Sequence, residues 1–389
     1  MFNNHQLECS NNKISKDLSF HLRTILLNTK LNFLLGAGFS FWSEDSLEKY
    51  QGFPIMKLIF QTINRNQDKI FKKLQEKEEF KRIFETENIE DLLTQLEKDI
   101  SFKNEKEIIE KEFKKILIIK QQEKLEKFPK VWETYAKFYD LLKYITLNVN
   151  ENSKNNTINI FTTNYDLYSE MVLEEKGIKY YSGFSGFFLR KFNSSYYDYG
   201  YYESTKLVNY NFYRKRDYIN LIKLHGSLSW SLNENGELIE LPFFYLNNDL
   251  NPAIVLPSFK KYSKVTYENY YFELQFYFKQ TIFLHNSSLL VFGTQMGDLH
   301  INKILEDAYS IKGTNIIVFC RNQQEYKTIE KKYSNFLYFY PKYDENWTCL
   351  QWILFLCEVI YIDKDLDIIR DNFPNFIKNK AEINDEIDK

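Results

Sequence analysis

The sequence predicts an α/β fold of the Rossmann type: a doubly wound, mainly parallel sheet with a large helical insertion and no zinc ribbon. Several of five short β-like runs lead into helical patterns such as "DLHINKILEDAY", which is typical of an open α/β sheet. Four of the five runs are apolar and almost unalternated, as strands buried on both faces are. The runs are "LNFLLG" (31–36), "TINIFTTNYD" (157–166), "NLIKLHGSLSW" (220–230), "SSLLVFGTQMGD" (287–298) and "TNIIVFC" (314–320).

Helical patterns fill the sequence around the first run. Residues 13–30 predict a helix that leads into the first strand. From about residue 53 to 147 helical spacing dominates, with Asn88 as a predicted N-cap and 103–128 as a charged amphipathic helix. We therefore expect the start of a Rossmann domain over 1–52, a helical insertion over 53–150, the rest of the domain over 151–335 and a helical or strand extension over 336–389.

Composition narrows the class of protein. The 389 residues carry a net charge of −2, which argues against a general nucleic-acid binder. Four cysteines form no CxxC pair, so neither a zinc ribbon nor a disulfide framework is expected. No metal is predicted. The N-terminus is polar, and the most apolar late run, 349–362, is shorter than the ~20 residues that cross a bilayer. We therefore expect a cytoplasmic protein without membrane contact.

Polar and small residues cluster directly after four of the β-like runs. In a doubly wound sheet the carboxyl ends of the strands meet at one crevice, where ligands bind. We therefore expect these residues to converge, although they lie far apart in the sequence. They are Gly36, Gly38 and Ser40; Thr163, Asn164 and Asp166; His225, Gly226 and Ser227; and Gly293, Thr294 and Asp298.

The pair Gly36 and Gly38 stands out because the chain has only 12 glycines. Glycines here predict a sharp turn that brings backbone N–H groups, at a helix N-terminus, against an anion such as a pyrophosphate. The alternative is a tight strand-to-helix turn without a ligand. Neither a full GxGxxG nor a P-loop is present.

His225, Asn164 and Asp166 are the candidates for chemistry. An imidazole in a crevice suits a general base near neutral pH, whereas the structural alternative is a buried histidine whose nitrogens are satisfied. Asn164 can position a water or a hydroxyl, and Asp166 can accept hydrogen bonds from an amide or a ribose. Both could instead cap the helix that begins near Leu167.

Together these motifs carry a family resemblance. "GAGFS", "GFP", "TTNYD", "KLHGS" and "VFGTQMGD", in this order over roughly 30–330, resemble the sirtuin-like fold, and more closely its divergent bacterial antiphage-defence members. The resemblance implies a catalytic His225 with Asn164, and a pyrophosphate near Gly36–Ser40. Further NAD contacts are implied around Cys320–Asn322 and at Gly36, Ala37, Gly38, Ser40, Pro54, Thr163, Asp166, Gly293, Thr294 and Asp298.

Two departures bear on the activity. Sirtuin deacylases have a GxPDFR run, of which "GFPIMKL" keeps only Gly52 and Pro54, and a four-cysteine zinc module, which is missing. The resemblance therefore implies an NAD glycohydrolase that uses water as acceptor and NAD as substrate. The alternatives are a protein ADP-ribosyltransferase or deacylase, and a module that senses NAD or ADP-ribose without cleaving it.

Further expectations come from the resemblance alone. It implies an antiphage effector that depletes NAD in abortive infection. Because unchecked hydrolysis would kill the host, such an enzyme is expected to be inactive at rest and gated by assembly or by a partner. The resemblance suggests a homo-oligomer and, as partner, a HerA-type ATPase or an Argonaute-type sensor. The helical segment 53–147 and residues 345–380 are candidate contact regions, or they simply pack within the chain.

Overall fold

The computed structural model describes residues 6–9, 16–43, 50–123, 127–148, 157–199, 202–205, 211–214, 218–243, 250–258, 269–341 and 345–361. In chain order the strands are β1 (Gln6–Cys9), β2 (Lys30–Leu35), β3 (Phe41–Ser43), β4 (Tyr50–Gly52), β5 (Ile158–Thr162), β6 (Lys179–Tyr181), β7 (Phe184–Ser185), β8 (Arg190–Phe192), β9 (Tyr202–Thr205), β10 (Asn211–Arg214), β11 (Tyr218–Lys223), β12 (Trp230–Leu232), β13 (Leu238–Glu240), β14 (Ser287–Phe292), β15 (Asn315–Phe319) and β16 (Leu337–Pro341).

The helices within these ranges alternate with the later strands and fill the interval between β4 and β5. They are α1 (Lys16–Asn28), α2 (Met56–Asn66), α3 (Asp68–Gln75), α4 (Glu78–Thr86), α5 (Ile89–Lys98), α6 (Lys103–Gln122), α7 (Pro129–Asn148), α8 (Tyr168–Glu175), α9 (Asn269–Ile282), α10 (Leu299–Asp307), α11 (Gln323–Glu330) and α12 (Cys349–Tyr361).

The central sheet has eight strands in the order β1-β16-β15-β14-β2-β5-β11-β6. Every pairing in it is parallel. The five runs that predicted strands are β2, β5, β11, β14 and β15, and they form the sheet's centre together. The predicted doubly wound, Rossmann-type α/β fold is therefore confirmed.

Both faces of the sheet are covered. In β2, Phe33 and Leu35 enter the core that the sheet shares with α2–α8 and α12, whereas Leu34 enters the core shared with α9–α11. Successive residues of a strand point to opposite faces, so an unalternated apolar run is what two covered faces require. This is the physical reason for the pattern that identified the strands.

The helical segment begins after β4 and contains α2–α7. Asn88 caps α5 as predicted, because its side-chain oxygen accepts a hydrogen bond from the backbone N–H of Glu90. Phe138 of α7 packs edge-on against Phe33 of β2, with ring centroids 5.1 Å apart. The segment thus shares one hydrophobic core with a face of the sheet, and the domain boundaries stay a prediction.

The helix predicted over 13–30 is confirmed as α1, which spans Lys16–Asn28 within the described residues. Three other elements differ from the expectation. The helix expected directly after the glycine pair is a three-residue 3-10 turn, Ala37–Phe39. That turn leads into the β3–β4 hairpin, which the sequence did not predict. The Tyr-rich segment 180–217 contributes β7 and β8 to an antiparallel sheet with β12 and β13.

The C-terminal part of the described chain adds β16 and α12. Trp352 of α12 packs against Phe319 of β15, at a centroid distance of 5.2 Å, and its indole N–H donates to the carbonyl of Cys320. No helix in the described ranges is long and apolar enough to cross a membrane. The predicted contact region 345–380 lies within this part only up to residue 361.

Candidate functional site

Four loops meet at one edge of the sheet. β14, β2, β5 and β11 are neighbours and run parallel, so their carboxyl ends lie side by side. The loops that follow them contain Gly293–Asp298, Gly36–Ser40, Thr163–Asp166 and His225–Ser227. The predicted convergence of these four stretches is confirmed by the strand order.

The glycine pair permits a close approach between two of these loops. A Cβ on Gly36 would lie 2.6 Å from the carbonyl oxygen of Gly293, and one on Gly38 would lie 2.9 Å from the Gly293 Cα. The backbone N–H of Gly38 donates to the Gly293 oxygen at 2.8 Å. What approaches these glycines in the structure is therefore the neighbouring loop, an explanation that sequence reasoning did not reach.

The turn's N–H groups are largely used within the protein. Gly36 donates to Phe292, Phe39 to Gly36 and Ser40 to Ala37, all through backbone atoms. The expected helix N-terminus is missing here because the chain turns into β3 after one 3-10 turn. A pyrophosphate contact at Gly36–Ser40 stays a prediction, without the support of a helix dipole.

Pro54 lies near the same edge because its neighbours Gly52 and Phe53 contact Ser40. The backbone N–H of Phe53 donates to the Ser40 carbonyl at 2.7 Å, and a Cβ on Gly52 would lie 2.1 Å from that oxygen. Gly52 has a φ of +90°, which favours glycine. The "GFP" motif is thus packed against the glycine turn, with Pro54 buried.

Asn164 joins the second loop to the first. Its Nδ2 donates to the carbonyl of Gly36 and to the hydroxyl of Ser40, both at 2.9 Å, and its side chain is buried. The Ser40 hydroxyl also lies 2.7 Å from the hydroxyl of Tyr135 on α7. Because Nδ2 holds the glycine turn, Oδ1 is the atom of Asn164 suited to accept a hydrogen bond from a ribose hydroxyl or a water.

His225 is fixed by the backbone on both sides. Leu224 donates its N–H to the carbonyl of Thr162, and Val255 donates to the carbonyl of His225 at 2.9 Å. Gly226 has a φ of +83°, and a Cβ there would lie 2.2 Å from the Ala253 oxygen. This tight turn directly after β11 keeps the imidazole buried at the carboxyl edge, 5% exposed.

Comparison with known families agrees with this arrangement. Residues 158–339, from β5 to β16, match the SIR2-like domain family. This chain contains a SIR2-like domain. SIR2-like domains bind NAD and are in general NAD-dependent enzymes. A search of curated proteins found no match.

The family match begins later than the resemblance predicted over 30–330. It includes the loops of Asn164, His225 and Thr294, whereas the glycine turn after β2 precedes it. That turn is tied to the SIR2-like domain by the Asn164 side chain and by the Thr163 N–H, which donates to the Leu35 carbonyl at 3.1 Å. The predicted site thus extends beyond the matched residues as one hydrogen-bonded unit.

Asp166 has a structural role. Its Oδ1 accepts the backbone N–H of Tyr168 at 3.1 Å, at the start of α8, so the capping alternative is what the contacts support. Burial raises the pKa of the Asp166 carboxyl, and the nearby Lys223 ammonium opposes that rise. A nicotinamide contact by Asp166 stays a prediction, because its side chain is only 2% exposed.

A buried ion pair lies behind Asp166 in the SIR2-like domain. Lys223 Nζ is 2.7 Å from Glu170 Oε1, and it also donates to the Asp166 carbonyl and, at 3.1 Å, to the Ser227 hydroxyl. Burial raises the pKa of Glu170 to about 7, although Lys223 lowers it. One lysine thus holds the loop after β5 and the loop after β11 together.

His300 is the site residue that sequence reasoning missed. Its Nε2 lies 3.2 Å from Nε2 of His225, and a carboxylate oxygen of Asp298 lies within 4.8 Å of ring nitrogens of both. Asp298 precedes α10 in the N-cap position, yet its side chain makes no capping bond. The signal that could have found the group is the short Asp-x-His spacing after β14.

The remaining predicted residues are placed as follows. A Cβ on Gly36 would lie 2.7 Å from the Cβ of Thr294, so Thr294 packs against the glycine turn. The Thr294 hydroxyl accepts a hydrogen bond from the backbone N–H of Met296 at 3.2 Å. Asn322 caps α11 by accepting the N–H of Glu325. Cys320 is buried at the end of β15, and its predicted adenosine-side contacts, like those of Asn322, stay predictions.

A cleft lies at the opposite, amino edge of the sheet. Its volume is about 660 Å³, and it is lined by polar residues that include Asn159, Asn220, Tyr277 and Gln280. None of the predicted site residues lines it. The carboxyl and amino edges therefore offer two distinct places where a ligand could be sought.

Proposed function

We propose that this chain is an NAD glycohydrolase, which cleaves NAD⁺ to nicotinamide and ADP-ribose at the carboxyl edge of its sheet. The observation that carries the proposal is the pair Asn164 and His225, held buried on adjacent strand ends of a SIR2-like domain. Neither residue type is lost, as it would be in a module that only senses the dinucleotide.

The reaction places few demands on the protein. In NAD⁺ the bond between ribose C1′ and the pyridinium nitrogen breaks, and its electron pair leaves with neutral nicotinamide. A water oxygen then forms the new bond to C1′, and the water's proton must be accepted. The protein has to orient the substrate, stabilise the oxocarbenium-like ribose and hold a base near the water.

Asn164 and His225 fit these two tasks. Oδ1 of Asn164 accepts a hydrogen bond from the water or a ribose hydroxyl, while its Nδ2 stays on the glycine turn. His225 takes the proton from the ribose hydroxyl or from the water. Because hydrogen bonds fix both side chains before the substrate arrives, little reorganisation is needed during the reaction.

The biological role belongs to the same proposal. An uncontrolled hydrolase of NAD⁺ would be toxic, so we propose an antiphage effector that is inactive at rest. Assembly into a homo-oligomer or docking on a HerA-type ATPase or an Argonaute-type sensor would activate it. A cytoplasmic location follows from the substrate, NAD⁺.

The test is product analysis with NAD⁺ as the added substrate. Purified protein is incubated with and without an ATPase from its own operon, and nicotinamide and free ADP-ribose are quantified by chromatography. We expect equal amounts of the two products.

Other outcomes distinguish the alternatives. Nicotinamide without free ADP-ribose, accompanied by ADP-ribose attached to protein, would indicate a transferase. NAD⁺ that binds in calorimetry but stays intact with and without the partner would indicate a sensing module. Either result contradicts the hydrolase proposal.

A further inference from the structure

The group formed by His225, His300 and Asp298 has a geometry that acid–base catalysis alone does not require. Two imidazole nitrogens, both Nε2, lie 3.2 Å apart, and a carboxylate oxygen lies within 4.8 Å of nitrogens of both rings. Both histidines are buried, and Asp298 is partly exposed. The three side chains thus face one another across the loops that follow β11 and β14.

The distance between the two imidazole nitrogens is that of a metal site. Two ligands that each lie about 2.0–2.1 Å from one ion are about 3 Å apart, which the His225–His300 separation matches. Two imidazoles and one carboxylate are a ligand set for Zn²⁺ and other first-row divalent ions, with a position left open for water. Asp298 completes the set, since one of its carboxylate oxygens lies within 4.8 Å of a nitrogen of each imidazole.

The positions of the ligands also suit binding without large movement. His225 is fixed by the turn at Gly226, and His300 lies in the first turn of α10. Nδ2 of Asn302 donates to the carbonyl of Met296 at 2.7 Å and so holds the loop between β14 and α10. A preorganised set of ligands binds an ion more tightly than a flexible one.

We propose that His225, His300 and Asp298 bind a divalent transition-metal ion such as Zn²⁺, and that the bound ion inhibits the chain's NAD⁺ hydrolysis. The inhibitory part rests on the function proposed above. An ion coordinated to Nε2 of His225 uses the lone pair that would accept a proton. The base and the metal ligand are therefore mutually exclusive states of one nitrogen.

Binding is tested first, without NAD⁺. Chelator-treated protein is titrated with Co²⁺, whose visible d–d absorption reports its coordination, and with Zn²⁺ in equilibrium dialysis. We expect one ion per chain, and at least about 10-fold weaker binding in His300→Ala and in Asp298→Asn. His285→Ala is the matched control, because it removes an exposed histidine that lies away from the group, and it should bind the ion as wild type does.

Two results would overturn the binding proposal. One is the absence of saturable Co²⁺ binding, or binding that His300→Ala leaves unchanged. The other is a sulfur-to-cobalt charge-transfer band, which would place the ion on cysteines rather than on the three proposed ligands.

Inhibition is tested separately from binding. Under conditions in which the wild-type protein releases nicotinamide, saturating Zn²⁺ should lower its rate at least 10-fold, the smallest fall that we count as inhibition. In His300→Ala the Zn²⁺ concentration that halves the variant's own rate should be at least about 10-fold higher than in wild type. Equal inhibition of the two proteins, or activation by Zn²⁺, would contradict the proposal.

The two proposals fail in different ways. If Co²⁺ binds through His300 but NAD⁺ is never cleaved, the metal site stands and the hydrolase function is wrong. If NAD⁺ is cleaved but no ion binds, the hydrolase stands and the metal site is wrong.

Discussion

Gly36 and Gly38 show how one residue type can have two explanations that a sequence does not separate. A glycine pair after a β-strand predicts a close backbone approach, but the approaching group can be a phosphate or another loop. The distances to Gly293 identify the other loop. No local pattern contains this information, because Gly293 is distant in the sequence and becomes a neighbour only through strand pairing.

The glycine contacts predict a stability change. In Gly36→Ala the new Cβ would lie 2.6 Å from the Gly293 oxygen, so the two loops must separate. We expect a loss of about 1–3 kcal/mol in the free energy of unfolding, the usual cost of overpacking, measured by urea denaturation. Gly297→Ala is the control, since nothing lies within 4 Å of its Cβ position; an equal loss in both variants would contradict the explanation.

Glu170 predicts a pH dependence of stability. Burial raises its folded pKa to about 7 from 4.5, against the opposing charge of Lys223. The folded protein therefore holds a proton that the unfolded chain releases, so the free energy of unfolding falls as the pH rises from 4.5 to 7. The group's contribution is up to about 3 kcal/mol.

The variant Glu170→Gln should reduce this dependence, because an amide does not titrate in the range. The measurement is chemical unfolding at several pH values between 4.5 and 8. Glu78→Gln, at an exposed surface pair, is the control and should keep the wild-type slope. A slope that is unchanged in Glu170→Gln would contradict the assignment.

Among the elements, the five central strands of the sheet were predictable, and β6 and β16, which lie outside them, were not. β2, β5, β11, β14 and β15 are apolar runs because each is buried on both faces. β6 has only three residues, none of them fully buried, so burial imposes little pattern on it. β16, "LYFYP", lies in an aromatic-rich stretch and ends in proline, which hides its strand character.

An asparagine ladder connects three of the central strands. Nδ2 of Asn159 donates to Oδ1 of Asn32 at 2.9 Å, and Nδ2 of Asn220 donates to Oδ1 of Asn159 at 3.0 Å. The three residues are directly in register on β2, β5 and β11. They lie two or more residues before the strand ends that carry the site, so the ladder sets the register of those ends.

The ladder predicts that Asn159, its middle residue, contributes most to the stability of the fold. Asn159→Leu leaves the Asn32 oxygen buried without its donor, which costs about 1–3 kcal/mol. Thermal unfolding compared with wild type measures the loss. Asn235→Ala, at an exposed position in the turn between β12 and β13, is the comparison variant; a similar fall in both would show that the ladder has no special role.

At the scale of the whole molecule, the fold class could be predicted from the sequence, whereas the side-chain contacts within the candidate site could not. Strand order brings four loops together, and any doubly wound sheet would do the same. The His225–His300 contact, the Asn164 bridge to the glycine turn and the Lys223–Glu170 pair depend on side-chain geometry between loops. Only the folded structure contains these contacts.

The sheet has two edges, and the cleft of about 660 Å³ lies at the edge that carries none of the predicted residues. Our central claim is that NAD⁺ chemistry occurs at the carboxyl edge, where Asn164 and His225 lie. Substrate bound in the amino-edge cleft would lie at the other end of the strands, and both residues would be a strand's length away from the reaction.

The most direct test compares rates of nicotinamide release from NAD⁺ for variants at the two edges. Under whichever condition activates wild type, we predict that His225→Ala and Asn164→Ala each lose about 10²–10⁴-fold. Gln280→Ala, an exposed position lining the amino-edge cleft, should keep a rate close to that of wild type. Full activity in His225→Ala and Asn164→Ala, or a large loss confined to Gln280→Ala, would contradict the claim.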